Sequence, residues 1–163
     1  MIRKVDPIPP EMHSVTPSLV LDNAAKALDW YQKAFGAEVT FRMDKPNGKV
    51  MHAAIKIGDS TIMVADECDP HPGHENCCKA PASLGGSTVQ LYLYVEDVDA
   101  VFNQAVDAGG KVEMALENMF WGDRMGTLSD PFGHSWAIAS RVEEVSEEEM
   151  RTRAQEFMAH MPV

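Results

Sequence analysis

The spacing of apolar side chains along the chain alternates between two periods. In DNAAKALDWYQKAFG, Ala24, Ala27, Leu28, Tyr31, Ala34 and Phe35 recur at helical spacing, Asp22 or Asn23 is placed to cap the first turn, and Gly36 to close the last. EDVDAVFNQAVDAGG repeats the design, with Asp97 as cap, Val98, Val101, Phe102, Ala105 and Val106 as the apolar stripe, and Gly109 or Gly110 as the stop. Around each helix the period falls to two. EVTFRM, VMHAAIKIG and STIMVADE follow the first helix as strands, with Asn47-Gly48 and Gly58-Asp59 as the turns between them. GKVEMAL, DRMGTLSD and SWAIASR follow the second, with Asp130-Pro131-Phe132-Gly133 as a turn.

Displacing the chain by 74 positions lays LVLDN on LYVED and Gly36 on Gly110, which marks a weak internal repeat. The pattern predicts an α+β protein of two βαβββ modules, each a curved mixed sheet with a helix on one face. We place an N-terminal extension at 1–12, the first module at 13–67, a linker loop at 68–86, the second module at 87–142 and an acidic C-terminal helix at 143–163. Alternation assigns the faces. Val89, Leu91, Leu93 and Val95 fit the helix side, leaving Gln90, Tyr92 and Tyr94 opposite; Ala53, Ile55 and Ile57 suit the core, leaving His52, Ala54 and Lys56 opposite. Such a polar and aromatic face either lines a small-molecule cavity or is a half-solvated sheet surface.

Composition narrows the function. With 14 Lys and Arg against 25 Asp and Glu, the net charge of −11 argues against nucleic acid, whose phosphates require clustered cations. Much of the excess sits in EEVSEEEMRTRAQEF, which reads as a solvated helix face. No apolar run approaches the roughly 18 residues of a membrane span, and the opening MIRKVDPIPPEMHS lacks the apolar block of a signal peptide, so the expectation is a cytoplasmic protein with no membrane partner. Three cysteines, an odd number, do not predict a disulfide framework. All three lie in CDPHPGHENCC, where Cys68, His71, His74, Cys77 and Cys78 are donors that suit zinc, yet all fall within one Pro- and Gly-containing loop rather than two knuckles. That stretch reads as a connector, with zinc binding and a redox or lid role as alternatives.

The paired modules, the ALDWYQKAFGAEV helix with its exit strand and above all FWGDRMGTLSDPFGHSWAIA resemble the vicinal oxygen chelate superfamily, which includes glyoxalase I, bleomycin resistance proteins and extradiol dioxygenases. Within it the PhnB-like group is the nearest in appearance, through GDR followed by DPFGH, and the resemblance spans residues 13 to 142. It implies the glyoxalase/bleomycin resistance fold: eight strands in two half-barrels around a cavity, completed by homodimerisation, with a divalent metal held on the first and last strand of each module. Aligned to the helix and the DPFG turn, the ligand positions fall at Thr16, Met63, Gln90 and Ala137. A Lewis-acidic ion needs imidazole or carboxylate donors. A hydroxyl, a thioether and a methyl group occupy three of these positions, so no metal cofactor is expected, a divalent ion remaining the alternative.

Around the expected cavity, His52 is either a general base, which an imidazole can be near neutral pH, or a hydrogen-bonded wall residue. Thr16, Gln90, Tyr92 and Tyr94 are positioned to orient a polar ligand, and Met63, Phe120 and Trp121 to contact it. Asp123 and Arg124 form either a mutual or backbone ion pair that fixes the loop before the seventh strand, or an anion site through the Arg124 fork. The leading expectation is a homodimeric binder of a small organic molecule, or a metal-free enzyme. The alternatives are a metal-dependent lyase, isomerase or dioxygenase drawing on His52, Gln90 or Glu117, and a structural module that dimerises through its acidic C-terminal helix.

Overall fold

The computed structural model describes residues 6–70, 72–73 and 78–161, in two compact units, 1–87 with 131–133 and 88–130 with 134–163. In the first unit β1 (Ser18–Leu21) enters α1 (Ala24–Phe35), and β2 (Glu38–Asp44), β3 (Val50–Ile57) and β4 (Ser60–Asp66) follow. The strand order is β1-β4-β3-β2, with β1 parallel to β4 and the other pairs antiparallel. A short helix, α2 (Pro81–Leu84), precedes the second unit. There β5 (Gln90–Tyr94), α3 (Val98–Asp107), β6 (Lys111–Asn118), β7 (Asp123–Ser129) and β8 (Ser135–Arg141) give the order β5-β8-β7-β6, before α4 (Glu147–Ala159). Neither sheet closes on itself, since β1 and β2 are the edges of one and β5 and β6 of the other.

The repeat holds at the level of single hydrogen bonds. Asn23 caps α1 by accepting from the Lys26 N–H, and Asp97 caps α3 by accepting from the Ala100 N–H. The first-turn N–H of Ala24 donates to Asp66 Oδ1 at 2.7 Å, and its counterpart on Val98 donates to Ser140 Oγ at 3.0 Å. In the sheets Ser18 lies opposite Met63, as Tyr92 lies opposite Ala137. The helix exits differ. Gly36 takes the left-handed conformation, with φ 64°, to end α1, whereas α3 ends on Ala108 and the left-handed residue is Gly109, not Gly110.

Each helix buries its stripe against its own sheet. Ala24, Ala27, Leu28, Tyr31 and Ala34 of α1 are buried, as are Ile55 and Val64 below them. Val98, Phe102 and Ala105 of α3 do the same over Leu128, Trp136 and Ile138. Each fully buried Leu or Ile contributes about 1.5–3 kcal/mol. Phe102 reaches the sheet because Gly126 lacks a side chain: a Cβ there would stand 2.6 Å from the Phe102 ring. The turn after β7 is held by Asp130, whose carboxylate accepts from the His134 N–H at 2.9 Å and the Trp136 indole at 3.0 Å. His134 is half-buried there. α4 buries none of its residues, in line with its acidic composition, and no helix among the described residues is long and apolar enough to cross a membrane.

Candidate functional site

With one face of each sheet committed to its helix, the chemistry falls to the other. On β3 alternation turns His52, Ala54 and Lys56 to that open face, and a cavity of about 740 Å³ lies over them. Glu38, Thr40 and Phe41 of β2 form one wall; Phe41 joins them because the β2–β3 register shifts between Val39 and Phe41. The facing wall is the N-terminal segment Pro10 to His13, held down where Thr61 Oγ1 donates to the Glu11 carbonyl at 2.8 Å. His52 stands 5.8 Å from the Phe41 ring, centroid to centroid. Glu11, Glu38 and Asp59 set three carboxylates against the single ammonium of Lys56, so the cavity suits neutral or cationic ligands better than anions.

The open face of the second sheet is built differently. Ala137 and Ala139 of β8 and Met125 of β7 form its floor, and Met114, Met119 and Trp121 pack onto them. Beside this plug, three donors converge on one oxygen of Asp123. Tyr94 Oη donates to Oδ2 at 2.8 Å, Tyr92 Oη at 3.1 Å and Trp121 Nε1 at 3.1 Å. Tyr92 Oη also lies 3.2 Å from Met125 Sδ. Asp123 is 5% exposed, whereas Tyr92 and Tyr94 remain 44% and 61% exposed. Burial and then the Asp123 charge push the Tyr92 phenol well above its ordinary range. For Tyr94 the hydrogen bond to Asp123 is the largest cause of a rise in the same direction. Both phenols are held protonated, as donors.

The structure separates Asp123 from Arg124, which corrects the expectation of a mutual or backbone ion pair. Neighbours on a strand point to opposite faces, and Arg124 turns to the helix side, where it binds both oxygens of Asp99 on α3 at 2.7 and 2.8 Å. That fork raises the Arg124 pKa and lowers that of Asp99. With its donors engaged by Asp99, and by Asn118 at 3.4 Å, Arg124 is not presented to the open face as an anion site.

Of the other residues singled out in the sequence, His52 lines the first cavity, while Thr16 and Met63 do not. Tyr92, Tyr94 and Trp121 are brought together around Asp123, whereas Phe120 turns to α4, its ring 5.3 Å from that of Phe157. Gln90 is exposed at the head of β5 and donates to Ser135 Oγ at 3.0 Å. One feature has no mark in the sequence: residues 10–13 carry no periodic pattern that would show them as a cavity wall. Asp123 is singled out there only together with Arg124, although alternation from Arg124 places it on the opposite face of β7, shared with Tyr92 and Tyr94.

The four positions that the resemblance offers a metal do not fit one. Thr16 offers only a neutral hydroxyl, which donates to the His13 carbonyl at 2.9 Å, Met63 presents a thioether, Ala137 a buried methyl group and Gln90 an amide. Among the described residues no three His, Cys, Asp or Glu side chains are grouped to hold an ion. Of the donors between Cys68 and Cys78, His71, His74 and Cys77 lie outside the described residues. Cys68 is disulfide-bonded and Cys78 is a free, exposed thiol. A sulfur in a disulfide offers no thiolate, so Cys68 is not a zinc ligand in this state. The odd cysteine count predicts no disulfide framework, and the disulfide at Cys68 departs from that expectation.

Comparison with known proteins agrees with this architecture. An uncharacterized protein of Mycobacterium tuberculosis strain H37Rv is 44% identical over 138 residues, which cover 85% of this chain and 80% of that one. Among solved structures, TioX from Micromonospora sp. ML1 superposes with a TM-score of 0.63 at 24% identity, over 80% of this chain and 99% of that one. A PhnB protein from Bacillus cereus, described as a putative 3-demethylubiquinone-9 3-methyltransferase, gives 0.59 at 22% identity, over 78% and 99%. At such identities the two structures speak for the fold alone. Residues 12–138 match the family model itself, and with its two βαβββ modules the chain belongs to the Glyoxalase/Bleomycin resistance protein/Dioxygenase superfamily.

Proposed function

We propose that this protein binds a small organic molecule in the cavity on the open face of the first sheet, and does so without the divalent ion that the family resemblance implies. The observation that carries the reading is the cavity itself. Its volume of about 740 Å³ falls in the range of roughly 300–1,000 Å³ common to ligand pockets. Phe41 and Met12 give it apolar contact, Thr40 and Thr61 give hydroxyls, and His52 gives a group able to accept or donate a hydrogen bond. The donor chemistry at Thr16, Met63, Gln90 and Ala137 supports the metal-free part. Homodimerisation and a cytoplasmic location belong to the same proposal.

The test uses N-phenyl-1-naphthylamine, a neutral fluorescent probe of suitable size and polarity. It should bind saturably to the intact protein, and Phe41→Ala and His52→Ala should each weaken it about fivefold to thirtyfold, the loss of one good contact of about 1–2 kcal/mol. Binding that is indifferent to both substitutions would remove the cavity from the proposal.

A further inference from the structure

We propose that the open face of the second sheet, where Tyr92, Tyr94 and Trp121 surround the carboxylate of Asp123, docks the cationic group of an organic molecule, a quaternary or aromatic ammonium. This site rests on no part of the first-sheet cavity, and either can fail without the other.

Three observations lead to it. The first is an unbalanced charge. Asp123 is almost fully buried, yet its three hydrogen-bond donors are all neutral, and among the described residues no cation pairs with it. Arg141, opposite Asp123 in the β7–β8 register, reaches Glu144 at 3.6 Å instead. Neutral donors make a buried carboxylate tolerable without supplying a paired opposite charge.

The second is the placement of the rings. Tyr92 and Tyr94, with centroids 5.1 Å apart, keep their hydroxyls on Asp123 while about half of each residue faces solvent. Exposed aromatic surface normally turns inward; here the bonds to Asp123 pin it outward. Trp121, bonded to the same oxygen, extends the surface, and Phe120 stands edge-on to it at 4.9 Å.

The third is that the two features reinforce one another. A ring attracts a cation through the electron density of its face, and a phenol or indole that donates a hydrogen bond to a carboxylate gains density from it. The carboxylate at the polar edges of the rings and the enriched rings themselves therefore act in one direction, on a chain whose net charge of −11 already favours cations. A neutral flat molecule would gain the stacking alone. The phenols keep this arrangement over a wide pH range, because the carboxylate and burial hold them protonated.

The experiment follows the indole N–H signal of Trp121, assigned through Trp121→Phe, in nitrogen–proton correlation spectra of the full chain. N-methylquinolinium, a cation, is titrated against N-methyl-2-quinolone, a neutral compound of similar shape. The cation should move the signal saturably and bind about tenfold tighter than the quinolone, the scale of one partly desolvated cation–π contact. Asp123→Asn should weaken the cation and narrow its advantage over the neutral compound, leaving only the attraction of the rings themselves. Tyr94→Leu, which removes one ring and one donor to Asp123, should weaken both. Equal affinity for the two compounds, cation binding untouched by Asp123→Asn, or no saturable shift with the cation would overturn the proposal. If Asp123→Asn does not fold, Tyr94→Leu decides: unchanged cation affinity in that variant also overturns it.

Discussion

Asp123 and Arg124 are adjacent in the chain and serve opposite faces of β7. Arg124 ties α3 to the sheet through Asp99, and Asp123 collects the hydroxyls of β5 and the indole of Trp121. The Tyr94 contact makes stability depend on pH in a definite direction. Its folded pKa lies above its unfolded one, chiefly through the hydrogen bond to Asp123. The corresponding stabilisation is therefore complete below the ordinary phenol value of about 10, and is lost as the pH rises through the raised folded value. Urea unfolding of the wild type should show stability falling from about pH 9 to about pH 11, and Tyr94→Phe should fall less steeply over the same interval. Parallel pH profiles for the two proteins would mean that the Tyr94–Asp123 bond is not formed in solution.

At the scale of elements, each helix is fastened to the last strand of its module by one side chain. Asp66 accepts from Ala24 N–H through one oxygen and from Val50 N–H, at 2.6 Å, through the other, joining α1, β3 and β4. Ser140 accepts from Val98 N–H and donates to the Val95 carbonyl at 2.6 Å. Removing either leaves main-chain groups near the core without a partner. Asp66→Ala and Ser140→Ala should each cost about 1–3 kcal/mol by urea unfolding, with native secondary structure retained. Losses within about 0.5 kcal/mol, as at an ordinary surface position, would show these bonds to be incidental.

The elements themselves were legible in the sequence because their signals are local. Asn23 and Asp97 as caps, Gly36 as a stop and period-two strands at Val50–Ile57 and Ser135–Arg141 depend on neighbours a few residues away. The bonds of Asp66 and Ser140, although they repeat at the same spacing, join residues 42 apart and carry no local mark. The same limit hid the wall formed by Pro10 to His13, which folds over Thr61 from 50 residues away. α2 passed unread because four residues are too few to show a helical period.

For the molecule as a whole, one βαβββ scaffold occurs twice, and the two occurrences differ on their open faces. The first sheet keeps a cavity, lined by small or polar residues such as Ala54, Thr40 and Thr61. The second fills the same face with Met114, Met119 and Trp121 over Met125 and two alanines, leaving aromatic rings at its margin. Function then depends on what the side chains offer rather than on the shared architecture. The ligand positions implied by the resemblance offer a divalent ion too little, although the βαβββ frame that would carry it is intact.

The most direct test of metal-free binding is the dissociation constant of N-phenyl-1-naphthylamine for the full chain, measured before and after exhaustive chelation and again after adding back manganese, nickel or zinc. The account predicts one constant under all these conditions, still sensitive to Phe41→Ala. Binding that disappears on chelation and returns with one divalent ion per chain would contradict it.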